Sequence, residues 1–418
     1  MKFLHCADIH IDSPLRGLSR GEGVPAEEIR RAARAAFENL VDLALDEQVA
    51  VVVIAGDLYD GDRDDFDTAI YLQRQFARLG EAGIPVVVVY GNHDAASEIT
   101  RRLRPPENVH VFPHVEATTI AFDDIGLAFH GQSYGKRAVT QDLSLAYPDR
   151  AAGYLNVGVL HTCLDGAAGH EPYAPCHVDA LAARGYEYWA LGHVHVRNAL
   201  QRDGAWIVFP GNIQGRHARE TGAKGATLVE YAGERVLGVE HQELDTVRWL
   251  RVSVDVSDAV TVPDVLAMVG TTTSESGAGD AGRLTAVRVE LIGATPAAAA
   301  LTRTRESWEA QLRADLAGAS GRVWLEKIEM NVTAPGDVSH TEDPGEAIRA
   351  IMDAVAGLRE DADGRAELAS EFSALRATLG GDLSHLAELG CVDLTDDGVL
   401  ALLDDAERLL VAQLEGGE

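Results

Sequence analysis

The chain is 418 residues long, with 46% hydrophobic and 24% charged residues, a globular balance spread over more than the ~100 to 200 residues of one ordinary domain. Lysine and arginine number 36 against 66 acids, a formal charge of -30, which is the wrong sign for gripping a polyanion through the overall field. The apolar runs at 49–55 and 84–90 fall short of the ~18 residues a membrane span needs, so no membrane partner is expected.

The opening Met1-Lys2-Phe3-Leu4-His5-Cys6 meets Asp8 before an apolar stretch of signal-peptide length forms, and Cys6, Cys163, Cys176 and Cys391 make neither a CxxC pair nor a dense framework. A cytoplasmic location with reduced thiols is the expectation.

In chain order, strands are predicted at Lys2–Cys6, 50–55, 85–90, Leu127–Gly131, 156–161 and 188–191, with helices between them. The helix at 25–47 opens on a proline and an acidic turn, and apolar residues recur at Ile29, Ala33, Phe37, Leu40 and Ala44. This alternation predicts a layered α/β core. Further strands at 206–209, 226–231 and 235–241 are expected to form a second sheet packed on the first, closing a core domain at 1–245.

From Trp249 the pattern resets. Leu250, Val252, Val254 and Val256 alternate, as do Val287, Val289 and Leu291, and a helix carries Leu301, Trp308 and Leu312, which predicts a small α+β capping domain at 246–335. The Gly/Ser/Thr-rich run 270–282 reads as a mobile loop. Residues 336–418 form a helical C-terminal region, with apolar faces at Ile348, Ile351, Val355 and Leu358, then Leu368, Phe372, Leu375 and Leu379, then Val399, Leu403, Ala406 and Leu410. From Thr341 onward, 19 acids face 5 arginines, so this tail is not expected to be a nucleic-acid surface.

Five short motifs occur in order: Asp8-Ile9-His10, Gly56-Asp57-Leu58-Tyr59-Asp60, Gly91-Asn92-His93-Asp94, His161, and Gly192-His193-Val194-His195. Taken singly, each reads as a turn or a structural histidine. At least four directly follow an apolar strand, and loops leaving the carboxyl ends of strands converge on a shared crevice. Carboxylates, imidazoles and a carboxamide without thiolate suit divalent Mn, Fe or Zn. Seven side chains satisfy two ions if one carboxylate bridges, and Asp57 is the natural bridge.

This set resembles the calcineurin-like metallophosphoesterase superfamily, whose pattern is D-x-H, G-D-x-x-D/N, G-N-H-D/E, H, G-H-x-H. The resemblance implies a two-sheet metallophosphoesterase core sandwiched by helices. It places one ion on Asp8, His10, Asp57 and His195, and a second on Asp57, Asn92, His161 and His193. Two divalent ions are the expected cofactors, manganese first among them. The resemblance also sets His93 at the reacting phosphate and the leaving oxygen. Asp94 is either the acid that orients His93 or a loop-capping acid.

Within the superfamily the sequence is similar to DNA repair exonucleases of the SbcCD nuclease-subunit type, YhaO-like branch. The residues carrying this likeness are Phe3 to His10, Tyr173-Ala174-Pro175-Cys176 and Pro210-Gly211-Asn212-Ile213-Gln214-Gly215-Arg216-His217. Some nucleases of the group have a histidine just after the second motif, where Tyr59 and Asp60 stand here. The resemblance implies a metal-dependent DNA exonuclease or endonuclease, acting as a homodimer with an SMC-like coiled-coil ATPase that docks the C-terminal helices and holds the DNA. Candidate DNA contacts are Arg16, Arg216 and His217; Arg20, Arg101, Arg102, Arg104, Lys136, Arg137 and Arg219 are further cations near the motifs. The alternatives are a phosphodiesterase or phosphatase for nucleotides and other small phosphoesters, and a non-catalytic scaffold on the same core.

Overall fold

The computed structural model describes residues 1–13, 25–60, 66–96, 104–165, 173–279, 282–335, 344–362, 364–366, 368–370, 400 and 403. Along them run β1 (Lys2–Cys6), α1 (Ala26–Asp46), β2 (Val52–Ala55), α2 (Phe66–Glu81), β3 (Val86–Val89), α3 (Asn92–Ala96), β4 (Val109–Val111), β5 (Thr118–Phe122), β6 (Leu127–Gly131) and β7 (Leu155–His161). There follow α4 (Val178–Ala183), β8 (Tyr188–Gly192), β9 (Asn198–Arg202), β10 (Ala205–Phe209), β11 (Gly225–Ala232), β12 (Arg235–Glu243), β13 (Val247–Asp255), α5 (Val262–Glu275), β14 (Leu284–Ala294), α6 (Ala298–Arg303), α7 (Arg305–Ser320), β15 (Val323–Thr333) and α8 (Pro344–Glu360). Among the described residues no helix is long and apolar enough to cross a membrane.

Two mixed sheets make the core, in the orders β12-β11-β1-β2-β3-β4 and β5-β6-β7-β8-β10-β9. Because side chains alternate across a strand, each strand feeds two apolar layers. Leu4, Val52, Ile54, Val86 and Val88 pack under Phe37 and Leu40 of α1 and Leu72 and Phe76 of α2. Their neighbours Phe3, Val53, Val87 and Val89 face Phe129, Leu155, Val157, Val159 and Tyr188 of the second sheet. The outer side of that sheet, with Leu160, Leu191, Ile207 and Phe209, is covered by Leu181 of α4 and by Tyr147. Each fully buried side chain of this size contributes about 1.5 to 3 kcal/mol, so the sandwich is the stable frame from which the loops project.

The expected two-sheet α/β core is present, but the strands are shared out differently. The segments predicted at 226–231 and 235–241 become β11 and β12 of the first sheet, not members of the second. With one edge of β1 taken by β2, its other edge pairs antiparallel with β11, Leu4 opposite Leu228. β10 does enter the second sheet, parallel to β8. Strands β4, β5 and β9, of 3, 5 and 5 residues, were not read from sequence.

Residues Met1–Gly293 and Ala300–Asn331 form one compact unit. It includes most of a third sheet, β13-β14-β15, where Val247, Trp249, Leu284, Ala286 and Trp324 pack on Ile29, Ala32 and Ala218. The first part of the loop expected at 270–282 is helix instead: α5 extends to Glu275, opened by a reciprocal Thr261–Asp264 capping box and anchored by buried Val269 and Thr273, and residues 276–279 are turn. Cap and packing outweigh the weak helix propensity of its Thr/Ser run.

The second unit comprises Ala294–Ala299 and Val332–Glu418. In it Val355 of α8 packs with Leu403, Leu358, Leu368 and Ala369, as expected of helices with apolar faces. Phe372, Leu375, Leu379, Val399, Ala406 and Leu410 lie outside the described residues.

Candidate metal centre and active site

The five motifs leave strands that run the same way. β2 lies parallel to both β1 and β3 in one sheet, and β7 lies parallel to β8 in the other. Their carboxyl ends carry Asp8 and His10, Asp57 and Asp60, Asn92 and His93, His161, and His193 and His195. Residues more than 180 positions apart in sequence thus meet at one crevice between the sheets.

Close approach requires the motif glycines. A Cβ on Gly56 would sit 2.3 Å from His161 Nδ1, one on Gly91 2.3 Å from Asp57 Oδ1, and one on Gly192 2.0 Å from the Ala55 carbonyl oxygen. The ligand positions are themselves strained, with φ of 51° at Asp8, 46° at His10, 53° at Asp57 and 100° at His193. Non-glycine residues hold such conformations at a cost of about 1 to 3 kcal/mol each, typically where function fixes them.

Three groups bring their ligand atoms within 4.8 Å of one another: Asp8, His10 and His195; Asp8, Asp57 and His161; and His10, Asp60 and His93. His10 Nε2 lies 3.2 Å from His195 Nε2, and His161 Nε2 lies 3.0 Å from Asn92 Oδ1 and 3.3 Å from Asp57 Oδ2. The His193 ring centroid is 5.2 Å from that of His161. Asp57 Oδ2 lies 3.3 Å from His161 Nε2 and 3.9 Å from His10 Nε2, one ligand of each predicted set, Asp8 is common to the groups holding His195 and His161, and all seven predicted ligands line the crevice.

The donor set fits cations. His161 Nδ1–H donates to the Ala55 carbonyl at 3.0 Å, so Nε2, which faces Asn92 Oδ1 and Asp57 Oδ2, is the nitrogen that would turn to an ion in exchange for its proton. His195 Nδ1–H donates to Glu220 at 2.7 Å, and its Nε2 likewise faces another imidazole nitrogen. Buried His10 Nδ1 has no hydrogen-bond partner. Buried carboxylates and imidazoles set this close together need a positive charge among them, either a metal ion or a proton. Without metal, burial lowers the basicity of His161, but Asp57 and Asp8 outweigh it and lift the imidazole to about 9. Burial and the Arg216 charge hold His10 well below its ordinary value.

His93 sits at the edge of the site. Its side chain is 31% exposed, and its Nδ1 is 2.8 Å from Asp60 Oδ1. Burial opposes protonation, but the Asp60 bond and the Asp57 charge raise its pKa above the ordinary value. Asp94 does not fill the orienting role it was given as an alternative: its carboxylate accepts from the Tyr59 and Gly91 amides, each at 2.9 Å. It is the loop-capping acid, and the acid beside His93 is Asp60, the second acid of the Gly56–Asp60 motif.

Arg216 reaches the crevice, with Nη1 3.4 Å from Asp60 Oδ2 and Nη2 3.4 Å from Glu220 Oε1. Its guanidinium is therefore engaged by two carboxylates at the place expected to meet a phosphate. His217 is exposed beside it and accepts from the Arg219 amide at 3.2 Å. Arg104, Lys136, Arg137 and Arg219 are exposed; Arg16, Arg20, Arg101 and Arg102 lie outside the described residues. Sequence reasoning missed Glu220 and Lys224, whose Nζ donates to the His195 carbonyl at 2.9 Å. No periodicity or spacing marks either one.

Residues 1–197 match the calcineurin-like phosphoesterase family, and residues 249–333 match the middle domain of metallophosphoesterase YhaO. Over 278 residues the chain is 34% identical to the uncharacterized metallophosphoesterase YhaO of Bacillus subtilis, covering 66% of this chain and 68% of that protein. It is 28% identical over 211 residues to the DNA double-strand break repair protein Mre11 of Sulfurisphaera tokodaii, covering 47% of this chain and 53% of that protein. The Mre11 protein of Methanopyrus kandleri is 27% identical over 280 residues, 60% of this chain and 59% of that one. The chain thus spans little more than half the length of these two repair proteins. With its motifs gathered at one crevice and the two family models matching successive segments, this chain belongs to the calcineurin-like metallophosphoesterases of the YhaO type.

Proposed function

We propose that this chain is a metal-dependent nuclease that hydrolyses phosphodiester bonds in DNA, with exonuclease and endonuclease action, in DNA repair. The observation that carries the reading is the crevice in which Asp57 lies within 3.9 Å of both His10 and His161, with the His93–Asp60 pair at its edge. The likeness to two Mre11 repair proteins supports DNA over other phosphoesters.

Asp8, His10, Asp57 and His195 would hold one divalent ion, and Asp57, Asn92, His161 and His193 the other, manganese being our choice of ion. When bound, the pair supplies Lewis acidity to the phosphate oxygens and a lowered pKa to the attacking water. His93 then serves as the proton donor to the departing sugar oxygen, because Asp60 holds its Nδ1 and raises its proton affinity. His161 and His195 are kept as Nε2 ligands by the acceptors on their Nδ1 atoms, the Ala55 carbonyl and Glu220.

The net charge of -30 is the reason to add a partner. A homodimer working with an SMC-like coiled-coil ATPase, docked through the C-terminal helices, would place the positive surface on the motor and the chemistry here. Arg216, which reaches the crevice, is the DNA contact we favour on this chain, with Arg16 and His217 as further candidates.

The test is incubation of the protein with Mn or Mg and labelled single- and double-stranded DNA, beside bis-p-nitrophenyl phosphate. DNA cleavage that requires the metal supports the proposal. Brisk ester turnover with inert DNA would favour a phosphodiesterase or phosphatase of small substrates.

A further inference from the structure

We propose that Glu220 is a positioning residue that fixes the ring orientation and Nδ1–H tautomer of His195, so that its Nε2 is presented as a metal ligand. Glu220 lies 25 residues beyond His195 and outside the five motifs.

The geometry is that of a built support. Glu220 Oε1 is 2.7 Å from His195 Nδ1, and its side chain is 8% exposed. Its Oε2 accepts from the Arg216 amide at 2.7 Å and from Asn212 Nδ2 at 3.0 Å. The Arg216 guanidinium reaches Oε1 at 3.4 Å. With four donors around it, the carboxylate cannot swing away from the imidazole, and the imidazole cannot turn without losing a charge-assisted bond. Lys224, buried alongside, ties down the His195 carbonyl at 2.9 Å. A histidine whose outer nitrogen is committed to a carboxylate is fixed in tautomer and is a stronger ligand at the inner one.

The contacts also extend past His195. Through Arg216, 3.4 Å from Asp60 Oδ2, the carboxylate supporting His195 is tied to the carboxylate supporting His93. One loop, 212–220, therefore braces a metal ligand and the proposed proton donor together. This inference rests on the reading of His195 as a ligand.

The experiment is calorimetric titration of the metal-stripped full chain with Mn2+, comparing wild type, Glu220→Gln and Glu220→Ala, with far-UV circular dichroism on each. Glu220→Ala is expected to weaken one of the two binding events about 10- to 100-fold and leave the other within about twofold. Glu220→Gln, which keeps an acceptor for His195 but not its charge, is expected to fall between. Wild-type affinity at both sites in both variants overturns the proposal. If Glu220→Ala does not fold, the metal-free wild type decides by histidine nitrogen NMR: His195 protonated on Nδ1 supports the proposal, and on Nε2 overturns it. Fewer than two ions on the wild type would instead contradict the metal-centre reading itself, and this proposal with it.

Discussion

His93 Nδ1 lies 2.8 Å from Asp60 Oδ1, whereas Asp94, its neighbour in sequence, is turned to the amides of Tyr59 and Gly91. The two acids therefore separate in effect. His93→Ala is expected to lower kcat by about 10²- to 10⁴-fold while both ions stay bound. Asp60→Asn should lower kcat in the same direction by a smaller factor. Asp94→Asn should act on stability first, because it loosens two loop amides. Steady-state kinetics with metal content and melting temperature for each variant checks this; loss of both metals from the His93 variant would show its role to be misassigned.

Removal of metal should destabilise the fold. A ligand present at 100 times its Kd stabilises by about 2.7 kcal/mol, and the crevice otherwise confines Asp8 and Asp57 in a buried space. A lower melting temperature in EDTA, restored by Mn, is expected for wild type and absent for Asp57→Ala. Equal melting with and without EDTA would contradict it.

The seven ligand candidates were legible because each motif sits at the end of an apolar strand, and strand ends are places that sequence marks well. Asp60 was visible as a residue but not as a partner, since only the fold sets it closer than Asp94 to His93. Glu220 lies in an irregular loop whose contact with His195 obeys no period, so nothing local signals it. The same limit applied to β11 and β12: alternation shows which face of a strand is buried, not which free edge it joins.

The glycine of the last motif is a packing requirement. A Cβ at Gly192 would fall 2.0 Å from the Ala55 carbonyl oxygen, the group that also accepts from His161. Gly192→Ala is expected to destabilise by about 1 to 3 kcal/mol and to weaken metal uptake, as read by urea unfolding and metal titration. An unchanged urea midpoint would show that the two sheets can separate at no cost.

Acid should weaken the metal-free fold through His5, buried 3.0 Å from the Tyr188 hydroxyl. Burial drives its imidazole down to about 3 from 6.5. Between those values the unfolded chain takes up a proton that the folded chain refuses. Above pH 6.5 the imidazole is neutral in both states and makes no difference, and as pH falls toward 3 the cost of keeping it neutral in the fold grows. Urea midpoints of EDTA-treated protein should decline over this window, and His5→Asn should flatten part of the decline. Parallel curves for the two proteins would exclude His5 as a cause.

The most direct measurement is the metal content of the protein after equilibration with manganese and removal of free ion, read by plasma mass spectrometry and by anomalous diffraction from crystals. Two ions per chain sharing Asp57, and none in Asp57→Ala, are the predicted results. A crevice that takes up no manganese, or two ions with no common ligand, would contradict the account.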